Sequence, residues 1–511
     1  IQNMSSVILT HPLPPPRRLS QNLGTKELFL QNKILYMSHQ IKAEYDQIFL
    51  FPPNLEDLLS ADHPARFVRE VVDQLDLKGL GFKVDTNEEG RPFYSSDLLL
   101  KVWIFGYFNK YLSSRQLERQ CRQDIGLVWL SGMNYPDHNT LWRFWKNNKE
   151  RMEGVFKQIV GISMKVGLID MTLNALDGTK LKAYSSNRGI NSKKKLEKAL
   201  KYLDKSIEEM GREIELNEQT EEGSYSLPEE LRGKEQMRKK ITEAMEELKQ
   251  LKRDNMHPKE KEARVMKNSG KRELSYNAQA VVDSKHQIIV AQDVINNEND
   301  TESLVPMIKE VVEMTGTEAK LTIADSGYAT AEQIHEAERN KYKVLFTLTE
   351  KSNISPEGRK DLPYHADNFR YDESKDVMIC PENKELQFHE KGKTKNKKHV
   401  LRIYKCSHYS DCPVRMLCSK SKTGREVKLN PFHRSVENYK VWHNEPGNEE
   451  KLRKRQWLIE PVFGWIKHND KFRRFTVRGI QNAKAQWSMI CSVKNLQKMY
   501  AIWTRGEIKF S

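Results

Sequence analysis

The sequence predicts a mixed α/β protein in which a sheet-based core carries two insertions and follows an all-helical segment. Three features favour this class. The apolar pattern is helical from residue 62 to about residue 168, short runs typical of buried strands begin near Met171, and two charged segments interrupt those strands. With 511 residues, the chain is long enough for two or three domains.

Composition favours a polyanionic partner. The chain has 85 Lys and Arg residues against 70 Asp and Glu, a net charge of +15, and the excess is concentrated after residue 451. Hydrophobic residues make up 38 % of the chain, and no apolar run approaches the length of a membrane span, so we expect no membrane partner. Six cysteines are too few for a secreted disulfide scaffold of this size, which favours the cytoplasm.

The first two predicted segments are a disordered extension, 1–44, and a helical domain, 45–169. Near the end of the helical domain, a turn precedes a helix that carries Arg143 and Lys146 among aromatic residues. A turn followed by a basic helix suits docking in a DNA major groove. An ordinary helical bundle with a solvated basic face has the same pattern, so both interpretations stay open.

Two acids follow apolar runs that are typical of buried strands. Leu321 to Ala324 precede Asp325, and an alternating run that ends at Leu176 precedes Asp177. Open α/β sheets place their ligands at the carboxyl ends of strands, where a buried carboxylate needs a partner such as a metal ion. Taken alone, Asp325 is as well explained as the cap of the following helix.

Two insertions interrupt the core. Residues 191–262 have two amphipathic helical patterns and predict a helical hairpin, which is either a contact arm or a solvated insertion. Residues 350–430 hold four of the six cysteines. Their clustering could bind zinc, but no C-x₂-C pair is present and free cytoplasmic thiols explain them equally well. The four are Cys380, Cys406, Cys412 and Cys418.

A late helix combines one acid with a row of cations. Glu460, Gly464, Lys467 and Lys471 fall at offsets 0, 4, 7 and 11, on one helical face beside an apolar stripe. Pro461 either starts this helix or kinks it. Further basic residues that could contact DNA flank the helix on both sides: Arg453, Arg455, Arg473, Arg474 and Arg478.

Asp177, Asp325 and Glu460 together suggest a metal centre. Three carboxylates at one end of a sheet would repel each other unless divalent cations neutralised them. Two such ions suit phosphodiester chemistry, in which one activates the attacking oxygen and the other stabilises the leaving oxygen. The surrounding cations suit a DNA backbone.

With these features, the chain resembles bacterial insertion-sequence transposases of the DDE type, most closely the group numbered eleven-eighty-two of the four-like superfamily. The resemblance runs from about Ile48 to Tyr500 and rests on five short motifs in a specific order. They are PDHNTLWRF (136–144), LDGTK (176–180), YNAQAVVD (276–283), ADSGY (324–328) and IEPVFGWIK (459–467).

The resemblance implies a ribonuclease-H-like mixed-sheet catalytic core, 170–349 and 431–503. It identifies Asp177, Asp325 and Glu460 as a triad that binds two Mg²⁺ ions, for which Mn²⁺ could substitute, and Lys467 as the cation seven residues after the glutamate. One departure is that the family's Tyr and Arg, seven and four residues before the glutamate, are Arg453 and Gln456 here.

The implied activity is cleavage of the element's own ends and joining of the 3′-hydroxyls to target DNA. The implied partners are double-stranded DNA, both the terminal inverted repeats and the target, and a second copy of the chain in a synaptic homodimer. A bacterial cytoplasmic location, nucleoid-associated on DNA, follows from the same resemblance. The alternative function is a catalytically inactive, transposase-derived DNA-binding protein. It is disfavoured because all three acids are present.

Overall fold

The computed structural model describes residues 54–84, 93–218, 229–268, 270–348, 362–394 and 398–509. The predicted extension, 1–44, lies outside these residues. In the described part of the chain, no helix is both long and apolar enough to cross a membrane.

Six helices form the first part of the described chain. Local sequence explains several of their starts: the side chains of Ser113, Asp124 and Asp137 each accept a hydrogen bond from a backbone N–H in the first turn of the helix that follows. The helices are α1 (Pro64–Asp73), α2 (Ser96–Phe108), α3 (Ser114–Gln120), α4 (Ile125–Leu130), α5 (His138–Asn148) and α6 (Met152–Lys165).

A six-stranded mixed sheet follows. Strand β1 lies at its centre, antiparallel to β5 on one side and parallel to β7 on the other. The outer strands are β4 and β6, which pair with different parts of the long β5, and β8, which runs parallel to β7. The strands are β1 (Asn174–Lys182), β4 (Arg264–Asn268), β5 (Lys271–Asp283), β6 (Ile289–Ile295), β7 (Thr322–Asp325) and β8 (Val344–Thr347).

Strand β1 is longer than the sequence predicts. The apolar run ends at Leu176, but the strand continues to Lys182 because β5 pairs with it along its whole length. The parallel pairing with β7 does stop at Leu176. Asp177 therefore lies inside a strand, at the point where the parallel part of the sheet ends.

Helices cover the sheet and join it to the N-terminal helices. The last helix is central: Gln486 donates to the hydroxyl of Tyr107 on α2, and the Trp487 indole donates to the backbone of Gln279 on β5. One continuous hydrophobic core results, shared by the sheet and the helices. The helices of this layer are α9 (Leu304–Thr315), α10 (Ala331–Arg339), α12 (His433–His443), α13 (Asn448–Gly464) and α14 (Ile480–Trp503).

Pro461 lies inside α13 rather than at its start. The helix continues past Gly464 as a π-helical turn, Trp465–Asn469, and then ends. Such turns are rare and often occur near functional sites.

Two smaller substructures interrupt this arrangement. Helices α7 (Lys193–Glu218) and α8 (Glu229–Gln250) run between two short paired strands, β2 (Asn191–Ser192) and β3 (Asn255–Met256), and enclose a small core of their own. A second, five-stranded antiparallel sheet with a separate core carries the four clustered cysteines. It consists of β9 (Arg370–Asp372), β10 (Val377–Ile379), β11 (Glu385–Lys393), β12 (Val400–Cys406) and β13 (Glu426–Leu429), with a short helix, α11 (Arg415–Cys418).

Candidate active site

Sheet register brings Asp177 and Asp325 together. Leu176 pairs with Ala324 in the parallel ladder between β1 and β7, and the two acids occupy the next position on each strand. Arg455 of α13 reaches both acids, with its Nη2 atom 2.7 Å from Asp177 Oδ2 and 4.0 Å from Asp325 Oδ2. We refer to Asp177 and Asp325 as the acid pair.

Burial distinguishes the members of this cluster. The side chain of Asp177 is 19 % exposed and that of Arg455 is 10 % exposed, whereas the side chain of Asp325 is 42 % exposed. Burial raises the pKa of Asp177 to about 6, although the Arg455 charge opposes this shift. The charges of Asp325 and Asp300 contribute to this raised pKa. The charge of Arg455 is thus the main interaction that favours the ionised form of Asp177.

Asp300 is a third acid beside the pair. Its Oδ1 atom accepts from Asn277 Nδ2 at 2.6 Å and from Gln279 Nε2 at 2.7 Å. Its Oδ2 atom lies 3.5 Å from Lys180 Nζ. From the sequence, Asp300 in Asn299-Asp-Thr301 is interpreted as a secondary, structural acid. Asn277 and Gln279, which alternate with Ala278 and Ala280, were the sequence signal for a polar site on this face of β5.

Close packing fixes this network. The buried Tyr328 hydroxyl donates to Gln279 Oε1, which holds the amide toward Asp300. A Cβ atom at Gly178 would lie 2.3 Å from Gln279 Nε2 and 2.8 Å from Asp300 Oδ1, so a side chain here would force both groups to move. The glycine of the motif around Asp177 thus lets the amide of Gln279 and the carboxylate of Asp300 approach the backbone.

Asp325 also caps a turn. Its Oδ1 atom accepts the backbone N–H of Gly327 at the start of the short 3₁₀ turn, Ser326–Tyr328. The next helix, α10, is capped instead by Thr330. The Oδ2 atom, on the side of Arg455, makes no hydrogen bond among the described residues. Capping therefore leaves one oxygen for a further partner.

Among the described residues, Glu460 does not join Asp177 and Asp325 in a three-carboxylate metal site. It is exposed on α13, next to the fully buried Ile459, and makes no hydrogen bond or ion pair among the described residues. Lys467, two helical turns further on, is half-buried. Burial lowers the pKa of Lys467, and the nearby carboxylate of Asp177 raises it by a smaller amount. Glu460 thus faces the solvent, whereas Lys467 lies near the acid pair.

A metal site with three protein ligands is not assembled here. Among the described residues, no group of three or more His, Cys, Asp or Glu side chains is arranged to hold a metal ion. The chemistry of Asp177 and Asp325 nevertheless fits Mg²⁺, which prefers carboxylate oxygens and uses few of them. In this structure, Arg455 supplies the positive charge between the two carboxylates.

The four clustered cysteines are free thiols. Burial raises the pKa of Cys418, and the neighbouring thiols of Cys380, Cys412 and Cys406 raise it further, so the four lie near one another. Cys380 Sγ accepts the backbone N–H of Lys384 at 3.2 Å.

The other basic residues predicted to contact DNA are mostly exposed. Arg143 and Lys146 are exposed on α5, and Arg453 pairs with Glu449 on the surface of α13 at 2.7 Å. Arg455 differs, since its guanidinium is buried against the acid pair. The remaining exposed residues follow α13: Lys471, Arg473, Arg474 and Arg478.

Two family models match parts of the chain. Residues 379–500 match a transposase DDE domain, and residues 53–147 match a transposase domain of the DUF772 family. No curated protein matches the chain. Glu460, Lys467 and Arg455 fall within the first match, whereas Asp177 and Asp325 lie outside both. Together the matches support a DDE-type transposase, a class of polynucleotidyl-transferase and nuclease enzymes that acts on DNA and uses divalent metal ions in general.

Proposed function

We propose that the protein is a DNA transposase that cleaves the ends of its own insertion sequence and joins the 3′-hydroxyl ends to target DNA. The observation that carries the proposal is the convergence of Asp177 and Asp325 on one cation, beside a helix that belongs to a matched DDE domain. The finer assignments, to the eleven-eighty-two group of the four-like superfamily and to a ribonuclease-H-like core, belong to the same proposal.

Asp177, Asp325 and Glu460 are proposed to hold two Mg²⁺ ions, with Mn²⁺ as a substitute. When bound, such ions polarise the attacking and leaving oxygens of a phosphodiester. Glu460 is included because of the resemblance to DDE transposases and because it lies within the matched DDE domain. Arg455 balances the charge of Asp177 and holds the two strands' carboxylates in place without a metal.

DNA is the proposed partner in two forms, the terminal inverted repeats of the element and the target duplex. Two ends must be paired before joining, so a homodimer is part of the proposal. We propose that the helical domain contacts DNA through the basic residues of α5, and the core through the basic residues that follow α13. We place the protein in the bacterial cytoplasm, associated with DNA.

The domain division is a proposal as well: a helical DNA-binding domain over 45–169, a catalytic core over 170–349 and 431–503, and insertions at 191–262 and 350–430. A structural Zn²⁺ ion on the four cysteines is proposed from their proximity alone. Among the described residues, these thiols are not arranged as a metal site here.

Strand cleavage and joining by the purified full-length protein would test the function. The substrate is a duplex that carries the DNA flanking the gene, incubated with Mg²⁺ and a supercoiled plasmid. We expect nicks at the end of the element and products in which that end is joined to plasmid DNA. Binding of the duplex without any cleavage, in Mg²⁺ or Mn²⁺, would instead support the inactive DNA-binding protein.

A further inference from the structure

A basic cleft of about 330 Å³ begins at Lys180, which follows Asp177 on β1. It is bounded by the carboxyl-terminal half of β1, the β4–β5 hairpin and the π-helical turn after α13. Five cations face one acid across it. These residues, which we call the basic cleft, are Lys180, Lys182, Lys271, Lys467, Arg473 and Glu273. Three of the cations, Lys180, Lys182 and Lys271, are not among the DNA contacts that the sequence suggests.

The positive charge of the basic cleft is only partly compensated. Lys182 pairs with Glu273 at 2.8 Å, and Lys180 pairs with Asp300 at 3.5 Å. Lys271, Lys467 and Arg473 pair with no carboxylate among the described residues. The Arg473 guanidinium instead donates to the backbone oxygen of Lys467 at 3.0 Å and to His468 Nδ1.

Holding like charges together in this way costs free energy. Burial lowers the pKa of Lys467, and the neighbouring charges of Lys180 and Arg473 lower it further. A bound polyanion would relieve this repulsion and release counterions, which is the main source of DNA affinity.

Backbone hydrogen bonds fix the walls of the cleft. The segment after the π-helical turn runs alongside β1, where Lys182 N donates to Arg473 O at 3.1 Å and Phe475 N donates to Lys182 O at 2.9 Å. The side chains of Phe472 and Phe475 are buried beneath this segment. The cations therefore project from a rigid support rather than from a loop without contacts.

The cleft leads away from the acid pair along the sheet. Lys182 is five residues beyond Asp177, which is about 16 Å along a β-strand. The same length corresponds to about five nucleotides of one DNA strand, at about 3.4 Å each. The antiparallel pairing of Lys182 with Ser275 places Lys271 further out in the same direction. Lys467 links the two sites, because it lines the cleft and its pKa responds to the charge of Asp177. We therefore expect a DNA strand with one phosphodiester at the acid pair to continue past Lys467 into the cleft.

We propose that the basic cleft binds the phosphates of the DNA strand within about nine nucleotides of the bond to be cleaved, since Lys271 lies beyond Lys182 along the sheet. The inference rests on the proposed function for the position of that bond. Binding of duplex DNA by the cleft can be measured independently of cleavage.

The test is the salt dependence of DNA binding by the full-length protein and a Lys182→Gln/Lys271→Gln variant. The probe is a short duplex of the DNA that flanks the gene. Loss of two phosphate contacts should make the slope of log K against log salt less negative by about 1.8. A matched control, Lys320→Gln/Lys343→Gln, removes the same charge from exposed lysines that precede β7 and β8, at the opposite end of the sheet. Its slope should equal that of the wild type.

An unchanged slope in the cleft variant, or an equal change in the control, would overturn the inference. If the wild type cleaves DNA while the cleft variant keeps the wild-type slope, only the cleft is wrong. If the slope changes but the wild type never cleaves, only the proposed function is wrong. The single variant Lys271→Gln breaks no ion pair among the described residues and should change the slope by about 0.9. It therefore tests the cleft even if the double variant fails to fold.

Discussion

Asp325→Asn is expected to lower strand cleavage by about a thousandfold or more, because metal-based charge stabilisation contributes several kcal/mol and each 1.36 kcal/mol is a factor of ten in rate. The substitution should change the stability of the fold little. An amide oxygen can still accept the N–H of Gly327, and Asp325 is already 42 % exposed and 4.0 Å from Arg455. Only the negative charge is removed.

DNA binding should survive this change, since no phosphate contact is lost. Cleavage rate and affinity are measured on the same duplex in Mg²⁺. Asp372→Asn is the matched control, because Asp372 also caps a turn, accepting from Ser374 N at 3.0 Å, but lies in the second sheet. Cleavage by the Asp325→Asn variant within a few-fold of the wild type would exclude Asp325 as a metal ligand.

Arg455→Met is expected to destabilise the protein by roughly 2–4 kcal/mol, because it leaves the carboxylate of Asp177 buried without its cation. The ion pair is only 10 % exposed on the arginine side and 19 % exposed on the aspartate side. Asp177→Asn in the same chain should recover part of the loss, since an amide needs no counter-charge. We therefore expect a coupling free energy of about 1–3 kcal/mol between the two positions.

Urea unfolding of the wild type, both single variants and the double variant measures this coupling. Arg453→Met is the control, because its ion pair with Glu449 joins side chains that are 76 % and 82 % exposed. It should cost no more than about 0.5 kcal/mol. Mn²⁺ should stabilise Arg455→Met more than the wild type, since a divalent ion can replace the missing charge. Additive single-variant effects would show that the Asp177–Arg455 pair contributes nothing specific.

The acid pair was within reach of sequence analysis because its signal is local. Apolar runs that end at Leu176 and Ala324 identify two strands, and an acid follows each of them. Parallel pairing in register then brings Asp177 beside Asp325. The amphipathic helices α7 and α8 and the long helix around Glu460 follow from helical spacing in the same way.

Contacts between distant segments explain what the sequence did not predict. Strand β1 continues past its apolar run because β5, about 100 residues later, offers a full-length partner. Asp300 and Arg455 reach the acid pair from a loop and a helix that no local pattern connects to β1. Side-chain direction also matters, because Arg455 and Glu460 belong to the same helix but face the core and the solvent respectively.

Comparing Glu460→Gln with Asp300→Asn in the cleavage assay tests which acid is the third metal-binding carboxylate. Asp177, Asp325 and Glu460 are proposed as the metal-binding triad, but Asp300 is the third acid near the pair in this structure. We expect Glu460→Gln to bind the flanking DNA and to leave it uncleaved in Mg²⁺, whereas Asp300→Asn retains measurable cleavage. Cleavage at the wild-type rate by Glu460→Gln, together with its loss in Asp300→Asn, would contradict the proposed triad and assign the third position to Asp300.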